Sequence, residues 1–415
     1  MSKDKELKVL SLFSGCGGLD LGFEGNFNVL KSHINLENTN DEIWVKLPKT
    51  RFTTVFCNDI LHDAKTAWTN FFCKEFGFDS SVYVCDSIVN LVKKHKNGEK
   101  IFPEDIDVLT GGFPCQDFSV SGKRNGLFSH KSHNDTIIDS ENVTIENRGQ
   151  LYIWMKEVIE ITQPNIFIGE NVKGLTNLSD VKSIIENDFK SIGDDGYLVF
   201  SRLLHFADYG IPQSRERVVF IGIKKSALNN KAFTELSKDI VCAKYDPYPK
   251  KTHSLSLDDN GLLPTPTLRE TFVGLEEPEK SNDMSQQKFS RAKYMGKHCQ
   301  GQTEVNLDSI GPTIRAEHHG NIEFRRLSKE HGGKNNNEIE NGFSERRLTI
   351  RECSRIQTFP DNYDFIISKN NDSKGLSSSS SYKLIGNSVP PLFAYHLSRR
   401  LEDNWDLYFG CEKFE

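Results

Sequence analysis

Short apolar runs recur through the first half of the chain and alternate with segments of helical character. The runs have the length of buried strands, and they cover residues 7–13, 53–59, 82–85, 106–110, 164–172 and 218–222. Because the alternation continues to Lys224, the pattern predicts an α/β fold, with a mostly parallel, doubly wound sheet and helices on both faces. Such sheets bind ligands at the carboxyl ends of their strands, so the residues after each run are candidates for chemistry.

The first run leads into a glycine-rich segment, residues 14–22, with the sequence SGCGGLDLG. Glycines allow a tight turn and a close approach of ligand to backbone at the start of a helix. The spacing differs from the G-x-G-x-x-G fingerprint of dinucleotide sites, and no P-loop motif follows. Alone, the segment indicates either an adenosine-type cofactor or a tight turn.

Two further strand ends carry reactive side chains. Cys115 stands in GGFPCQDFSVSGKRNG, residues 111–126, on a loop with glycines on both sides. A cysteine there has the geometry of a mobile nucleophile, although most free cysteines are buried structural thiols. Glu170 lies near the end of another run, beside Gly169, where a carboxyl group is suited to proton donation. The alternative for Glu170 is an ordinary loop carboxylate.

Two arginines precede the last run, in the sequence QSRER at residues 213–217. Arg215 and Arg217 are two positions apart on an extended segment, so both side chains point to the same side. Guanidinium donors in this arrangement suit phosphates or a carbonyl oxygen. A solvated edge with Glu216 between the arginines is the alternative.

Together these segments resemble the DNA (cytosine-5)-methyltransferases of bacterial restriction–modification systems. The resemblance extends over nearly the whole chain, and its motifs occur in the order of the family. They are residues 13–18 (FSGCGG), 112–116 (GFPCQ), 170–172 (ENV), 213–217 (QSRER), 346–360 (RRLTIRECSRIQTFP) and 386–391 (GNSVPP).

The resemblance implies covalent catalysis on a base flipped out of the duplex. Carbon 5 of cytosine is too weakly nucleophilic to accept a methyl group directly, and a thiolate added at carbon 6 activates it. Cys115 is the implied nucleophile, and Glu170 is the acid that contacts N3 of the ring. Arg217 and Arg215 would hold the cytosine O2 and nearby phosphates. The base that removes the carbon 5 proton is not identified, and a water molecule is one candidate.

The implied methyl donor is S-adenosylmethionine. Asp59, at the end of the second run, is expected to bind the ribose hydroxyls, and Asp86 is expected to meet the adenine amino group. Ile60 stands where the family often has an aromatic residue, and residues 33–51 are interpreted as a surface insertion. The expected cofactor residues are Phe13, Gly15, Gly17, Gly18, Asp59, Ile60, Asp86, Ser87, Pro114, Asn387, Ser388 and Val389.

After Gly222 the strand–helix alternation gives way to turn-rich sequence, which we interpret as the family's target-recognition domain. The predicted organisation is a catalytic cofactor-binding domain at 1–224, a smaller, strand- and loop-rich recognition domain at 225–345, and a hinge block with a returning C-terminal segment at 346–415. The serine run at residues 377–381 is predicted to be a flexible link. The expected DNA-binding residues are Gln116, Ser119, Arg124, Gln213, Arg215, Thr313 and Arg315.

The loop after Cys115 is longer than the family pattern. An Arg-Gly-x-Leu helix start stands at residues 148–151, and residues 129–147 intervene as polar sequence without aromatic residues. Such a segment cannot bury enough surface to be rigid by itself. We predict that it is mobile without DNA and that the flanking loop closes over the flipped base.

The net charge of −6 does not argue against DNA binding, because binding depends on where the basic residues lie. Many cations crowd one late region, and acids are interleaved with them. A DNA-facing patch and a solvated mixed-charge surface are both open interpretations. The cations are Arg315, Arg325, Arg326, Lys329, Lys334, Arg346, Arg347, Arg351 and Arg355.

The nine cysteines lack zinc-ligand spacing, which indicates a reducing cytosol and no metal. We expect a cytoplasmic monomer without signal peptide or membrane span, whose partners are duplex DNA and, genetically, a cognate restriction endonuclease. A tRNA-methylating enzyme of the same family and a catalytically silent DNA-binding protein are alternatives. The long recognition segment favours DNA, the intact catalytic motifs argue against a silent protein, and the glycine spacing disfavours a nicotinamide oxidoreductase.

Overall fold

The computed structural model describes most of the 415-residue chain. Within the described residues, a seven-stranded sheet forms the centre of the protein. Its strands are β1 (Leu7–Leu12), β2 (Phe52–Asp59), β3 (Tyr83–Cys85), β4 (Val108–Gly111), β5 (Ile166–Val172), β6 (Tyr197–His205) and β7 (Glu216–Lys224). The described ranges are 5–34, 43–113, 151–177, 181–256, 261–316, 321–334, 336–369 and 375–410.

The strand order in the sheet is β3-β2-β1-β4-β5-β7-β6. Strands β1 to β5 pair in parallel, whereas β7 runs antiparallel to both β5 and β6. The predicted mostly parallel α/β sheet is therefore confirmed, with an antiparallel edge that the sequence pattern did not indicate. The chain order reverses between β1 and β4, which places a ligand-binding crevice at the carboxyl ends of these strands.

Helices connect the strands and continue beyond the sheet. Within the described residues none of them combines the length and apolarity that a bilayer crossing requires. The helices are α1 (Gly18–Glu24), α2 (His62–Glu75), α3 (Ile88–Lys96), α4 (Leu151–Thr162), α5 (Val181–Lys190), α6 (Asn230–Leu236), α7 (Leu268–Thr271), α8 (Met284–Gln287), α9 (Asn336–Glu340), α10 (Ile350–Ile356), α11 (Ser378–Asn387) and α12 (Pro391–Phe409).

Successive side chains of the central strands enter two different apolar clusters, as the two-residue period of a strand requires. Leu109 and Phe167 pack in one cluster with side chains of α3, α4 and α5. Their neighbours Val108, Ile166 and Ile168 pack in the other, with side chains of α1, α6 and α12. Both faces of the sheet are thus covered by helices.

The C-terminal helix α12 packs directly on α1, beside the first strand. A Cβ atom on Gly22 would lie 2.3 Å from Cβ of Ala394, so a glycine is needed where the two helices touch. The Ser398 hydroxyl donates to the Gly22 carbonyl at 2.9 Å. Further along α12, Trp405 meets Phe52 of β2 edge to face, with ring centroids 6.0 Å apart.

A third apolar cluster joins α2 to the later part of the chain. Trp68 and Phe72 of α2 share it with Leu268, Ile314 and Ile350. The described side chains of the 225–345 segment therefore pack against the first half of the chain. Short strand pairs complete this region: His253–Ser254 with Leu263–Pro264, Gln213–Ser214 with Gly311–Pro312, and Phe324–Arg326 with Arg346–Arg347.

The prediction that residues 33–51 form a surface insertion is wrong for the part that is described. Trp44–Lys46 pairs antiparallel with Asn28–Leu30. Val45 and Leu47 are buried while Lys46 between them is exposed, which is the alternation of a half-buried strand. Residues 35–42 lie outside the described residues.

The prediction of a flexible link at 377–381 is also wrong. The Ser377 side chain accepts the backbone N–H of Ser380, so it caps the first turn of α11. Ser381 is fully buried, and its hydroxyl donates to the Phe365 carbonyl. These serines begin a helix because their hydroxyls satisfy backbone groups at its terminus.

Two buried histidines, one from the N-terminal region and one from the 225–345 segment, lie where these two parts of the chain pack together. Nε2 of His33 lies 3.2 Å from Oγ1 of Thr271, and Nδ1 of His253 lies 2.8 Å from Oγ1 of Thr252. Burial, reinforced by His253 and Arg355, lowers the pKa of His33 to about 3. Burial also lowers the pKa of His253 to about 4. Both rings are therefore neutral in the folded protein near neutral pH.

We expect these histidines to make stability fall on acidification. Their contribution is present above the unfolded-state pKa of about 6.5 and is lost as the pH falls toward about 4, at roughly 1.4 kcal/mol per pH unit for each ring. Urea unfolding at pH 7.5 and 5.0 measures this loss. It should be smaller in His33→Gln/His253→Gln and unchanged in the control His62→Gln/His298→Gln, which alters two exposed rings. Equal losses in both variants would contradict the assignment.

Candidate active site

The glycine-rich segment forms a turn between β1 and α1. Gly15 and Gly17 have φ angles of 55° and 80°, in the left-handed region that favours glycine. A Cβ atom on Gly17 would lie 2.6 Å from both Trp68 and Phe72. The Tyr83 hydroxyl donates to the Gly15 carbonyl at 2.9 Å. The turn is therefore held against the aromatic side chains of α2 and β3.

Asp59 ends β2 directly beside this turn. Its Oδ2 accepts the backbone N–H of Gly15 at 3.0 Å, and its Oδ1 accepts that of Leu61 at 2.9 Å. Burial raises the pKa of Asp59, although these two backbone hydrogen bonds act in the opposite direction. Ile60 follows with 42% of its surface exposed. The structure thus places the predicted ribose acid at the carboxyl edge of the sheet.

Asp86 follows β3 at the same edge. Its Oδ2 lies 2.9 Å from Nζ of Lys94, and its Oδ1 accepts the backbone N–H of Ser87 at 2.7 Å. Burial acts to raise the pKa of Asp86, but the hydrogen bonds from Lys94, Asn90 and Ser87 outweigh it and lower the pKa. The carboxylate predicted to meet adenine is already paired with a lysine.

The C-terminal motif lies against the glycine turn, although the two are far apart in sequence. A Cβ atom on Gly18 would lie 2.1 Å from the Val389 carbonyl oxygen and 3.3 Å from Cβ of Ser388. Ser388 and Val389 are buried, whereas Asn387 is exposed. The structure therefore brings the first and the last groups of predicted cofactor residues together.

Glu170 and Arg217 form an ion pair where β5 and β7 meet, with Nε of Arg217 2.8 Å from Oε1 of Glu170. Both side chains are nearly buried. Burial lowers the pKa of Arg217, and Glu170 partly restores it. A Cβ atom on Gly112 would lie 3.3 Å from Oε2 of Glu170, and Nδ2 of Asn171 donates to the Phe113 carbonyl at 3.3 Å. The carboxylate therefore lies beside the start of the loop that carries Cys115.

The predicted nucleophile itself lies outside the described residues. The same holds for the insertion at 129–147 and for other predicted contacts, namely Pro114, Gln116, Ser119 and Arg124. The described residues before this gap end at Phe113, which is buried with its ring centroid 6.3 Å from that of Phe220. The next described residue is Leu151, where α4 begins.

Arg215 does not occupy the phosphate-facing position that the sequence suggested. Its guanidinium is buried, donating from Nη1 to the Ile314 carbonyl at 3.1 Å. Nη2 donates to the carbonyls of Gly386 and Ser388 at 3.1 and 2.9 Å. Burial lowers the pKa of Arg215. The geometry supports a structural role, in which one side chain joins three backbone segments.

Gln213 and Arg315 likewise bind protein groups. Gln213 is buried, and its Nε2 donates to Oε1 of Gln357 at 2.6 Å. Nη2 of Arg315 lies 3.0 Å from Oε1 of Glu323. These contacts do not support the predicted DNA contacts of either residue. The half-buried Thr313 hydroxyl donates to the Ser214 carbonyl, which places it beside the 213–217 segment.

Five of the nine late cations are buried arginines, and four of these lie in ion pairs, so neither interpretation of a surface patch fits them. Arg346 lies 2.9 Å from Glu352 and 3.1 Å from Glu277, and Arg326 lies 2.7 Å from Glu277. Burial acts to raise the pKa of Glu277, but the two arginines hold it down at about 2. Lys329 and Lys334 are exposed. The arginines whose side chains are at most 4% exposed in such pairs are Arg326, Arg346, Arg351 and Arg355.

Two residues near the glycine turn were missed by the sequence reasoning. Asp20 is buried in the first turn of α1, and its Oδ2 accepts Nε1–H of Trp68 at 2.8 Å. Gln357 donates from Nε2 to the Ile385 carbonyl at 2.6 Å. An acidic residue inside an apolar helix indicates a buried carboxylate with a polar partner, and this signal could have identified Asp20. Nothing in the sequence around Gln357 identifies its partner.

Comparison with known proteins identifies the class. The family model described as C-5 cytosine-specific DNA methylase matches residues 7–403, and the chain belongs to that family. It is a DNA cytosine-5 methyltransferase, an enzyme whose reaction needs a methyl-donor cofactor and a DNA substrate.

Individual relatives agree with this. The chain is 30% identical over 428 residues to the type II methyltransferase M.BsuRI of Bacillus subtilis, covering 97% of this chain and 81% of that protein. It is 31% identical to M.BspRI of Lysinibacillus sphaericus, covering 96% and 82%. Among solved structures, the S. pombe Dnmt2 methyltransferase shares the fold at 16% identity, with a TM-score of 0.53 and coverage of 96% and 99%.

A matched pair of substitutions separates the roles of the two arginines. Arg215→Lys keeps the charge but cannot reach three carbonyls, and each buried carbonyl left without a donor costs about 1–3 kcal/mol. We expect its unfolding free energy to fall by about 2 kcal/mol or more in urea titrations. Arg217→Lys keeps a cation beside Glu170 and should lose methyl transfer with little loss of stability. If Arg215→Lys keeps the wild-type stability but binds DNA more weakly, the structural role is refuted and the predicted DNA contact of Arg215 is supported.

Proposed function

We propose that this enzyme transfers a methyl group from S-adenosylmethionine to carbon 5 of one cytosine within a specific duplex sequence, through a covalent adduct with Cys115. The observation that carries the proposal is the Glu170–Arg217 pair, which lies at a strand end against Gly112, at the start of the cysteine loop. We further propose a methyltransferase fold organised as a catalytic domain at 1–224, a target-recognition domain at 225–345 and a returning segment at 346–415.

The chemistry requires a nucleophile at carbon 6 and an acid at N3, on the far side of the same ring. The target base leaves the helix stack, and the Cys115 thiolate adds to carbon 6, which makes carbon 5 an enamine carbon. Glu170 donates to N3, where negative charge develops, and Arg217 orients Glu170 and holds O2. After carbon 5 takes the methyl group it loses its proton, and the electrons of that bond expel the Cys115 thiolate.

The described residues at the carboxyl edge fit S-adenosylmethionine. A Cβ atom on Gly15 would meet nothing within 4 Å, so a ligand can approach this backbone. The half-buried Asp59 carboxylate retains acceptor positions for ribose hydroxyls. Exposed Ile60 would cover one side of the adenine, and Ser388 and Val389 would close the pocket from the far end. When bound, this cofactor supplies an electrophilic methyl group on a sulfonium.

The biological role we propose is protection of host DNA from a cognate restriction endonuclease. The relatives named type II methyltransferases support it. Because the DNA of a bacterium lies in its cytoplasm, we place the enzyme there, acting as a monomer. Transfer of labelled methyl groups to duplex DNA, with tRNA as the comparison substrate, tests the substrate class. Bisulfite mapping of the product then locates the modified cytosine.

Cys115→Ser tests the nucleophile. We expect methyl transfer to disappear while DNA binding remains, because a serine hydroxyl is far less acidic and less nucleophilic than a thiol. DNA containing 5-fluorocytosine should trap the wild type covalently, since fluorine cannot leave as a proton does. Cys242→Ser is the control, because Cys242 is an exposed free cysteine. Turnover in Cys115→Ser, or trapping through another cysteine, would refute the assignment.

Glu170→Gln tests the acid. The amide keeps the size of the side chain but cannot deliver a proton in the same way, so we expect kcat to fall on the order of 10²–10⁴-fold. Cofactor affinity should stay near the wild-type value. Glu216→Gln is the matched control, because Glu216 lies on the same strand as Arg217 but pairs with Lys173 at 2.7 Å. Lost cofactor binding with normal chemistry would instead place Glu170 in the cofactor pocket.

A further inference from the structure

An acid-free, exposed basic segment lies in the recognition region, apart from the paired arginines. Between Asp283 and Glu304 the sequence contains four cations and neither Asp nor Glu. We call residues 288–298 (KFSRAKYMGKH) the cationic loop. Its charged side chains are exposed, and within the described part of the chain no salt bridge involves them. They are Lys288, Arg291, Lys293 and Lys297.

The main chain of this loop is fixed although it has little regular structure. The buried Arg347 donates from Nε to the Ala292 carbonyl at 2.8 Å and from Nη2 to the Lys293 carbonyl at 3.1 Å. The backbone N–H of Ile350 donates to the Lys288 carbonyl at 3.0 Å. The Tyr294 ring stacks on that of His331, with centroids 4.4 Å apart. The backbone is therefore held from the inside while the charges face solvent.

The cationic loop is connected to the candidate active site by hydrogen bonds. Just beyond it, Gln300 accepts from Nη1 of Arg315 at 2.7 Å. The neighbouring Ile314 carbonyl accepts from Arg215, which lies two residues before Arg217 of the candidate active site. The loop is thus attached to the segment that follows the strand Gly311–Pro312, beside the 213–217 segment.

We propose that the cationic loop binds the phosphate backbone of the substrate duplex, and supplies the part of the affinity that does not depend on sequence. The proposal rests on duplex DNA being the substrate. A protein with a net charge of −6 needs a local concentration of free cations to attract a polyanion. The buried ion pairs of Arg326, Arg346 and Arg351 cannot provide them. Since the loop backbone is already ordered, little conformational entropy is lost when phosphates bind.

Salt dependence of binding is the direct readout. Each phosphate contact contributes about 0.9 to the slope of log K against log salt. Arg291→Ala/Lys293→Ala/Lys297→Ala should therefore reduce the slope by about 2.7, and affinity by roughly 500-fold at 100 mM salt, with the two proteins converging near 1 M. Because the contacts are to phosphates, the loss should appear equally on a duplex of arbitrary sequence.

The control variant removes three exposed lysines at the amino edge of the central sheet, which is opposite the carboxyl edge with the candidate active site. Lys74 and Lys190 lie at the ends of α2 and α5, and Lys100 lies shortly before β4. Lys74→Ala/Lys100→Ala/Lys190→Ala has the same change in net charge and should retain the wild-type slope. With the loop variant, kcat at saturating DNA and affinity for S-adenosylmethionine should stay unchanged while KM for DNA rises.

Several outcomes would overturn the proposal. A wild-type slope in the loop variant would do so, as would an equal decrease in the control. A slope that falls for tRNA but not for duplex DNA would assign the loop to another partner. If the triple variant fails to fold, the single variants Lys293→Ala and Lys297→Ala should each lower the slope by about 0.9. Absence of duplex methylation by the wild type would instead refute the proposed function, independently of the loop.

Discussion

The position of the active site depends on one buried guanidinium. Arg215 lies between two strands of the catalytic half and donates to carbonyls at Ile314, Gly386 and Ser388. Arginine stays charged even when burial lowers its pKa, and its planar fork can serve several carbonyls at once. Gln213 and Gln357 extend the same hydrogen-bond network. Three distant parts of the chain therefore share a fixed relative position beside the candidate active site.

Six of the seven strands of the central sheet could be predicted because they are short apolar runs, whereas β6 was not among the predicted runs. The antiparallel edge could not, since pairing direction is not encoded in the apolarity of β6 and β7. The errors at residues 33–51 and 377–381 have a common origin. Polar residues dominate both segments, but a few buried side chains such as Leu47 and Ser381 determine their structure. Composition averages over a segment and does not show which residue faces inward.

The candidate active site likewise contains features that the sequence could predict and features that it could not. Glu170, Asp59 and the glycine turn lie at the carboxyl edge because the ends of parallel strands converge there. Arg217 lies there because β7 runs antiparallel and begins opposite the last residue of β5. The late arginines were misinterpreted because the sequence displays their charge but not their partners. Glu277 lies 69 positions from Arg346, so its contact follows only from the tertiary fold. Buried ion pairs of this kind offer no free charge to a nucleic acid, however basic the sequence reads.

The contact between Gly18 and Val389 has a consequence for synthesis of the enzyme. The glycine turn emerges first from the ribosome, yet the wall that closes it is formed by residues 386–389 and by α12, which packs on α1. A nascent chain that has completed the sheet still lacks one side of the candidate cofactor site. That site is completed only after residues 386–409 have been synthesised, so the contact separates folding of the sheet in time from assembly of the site.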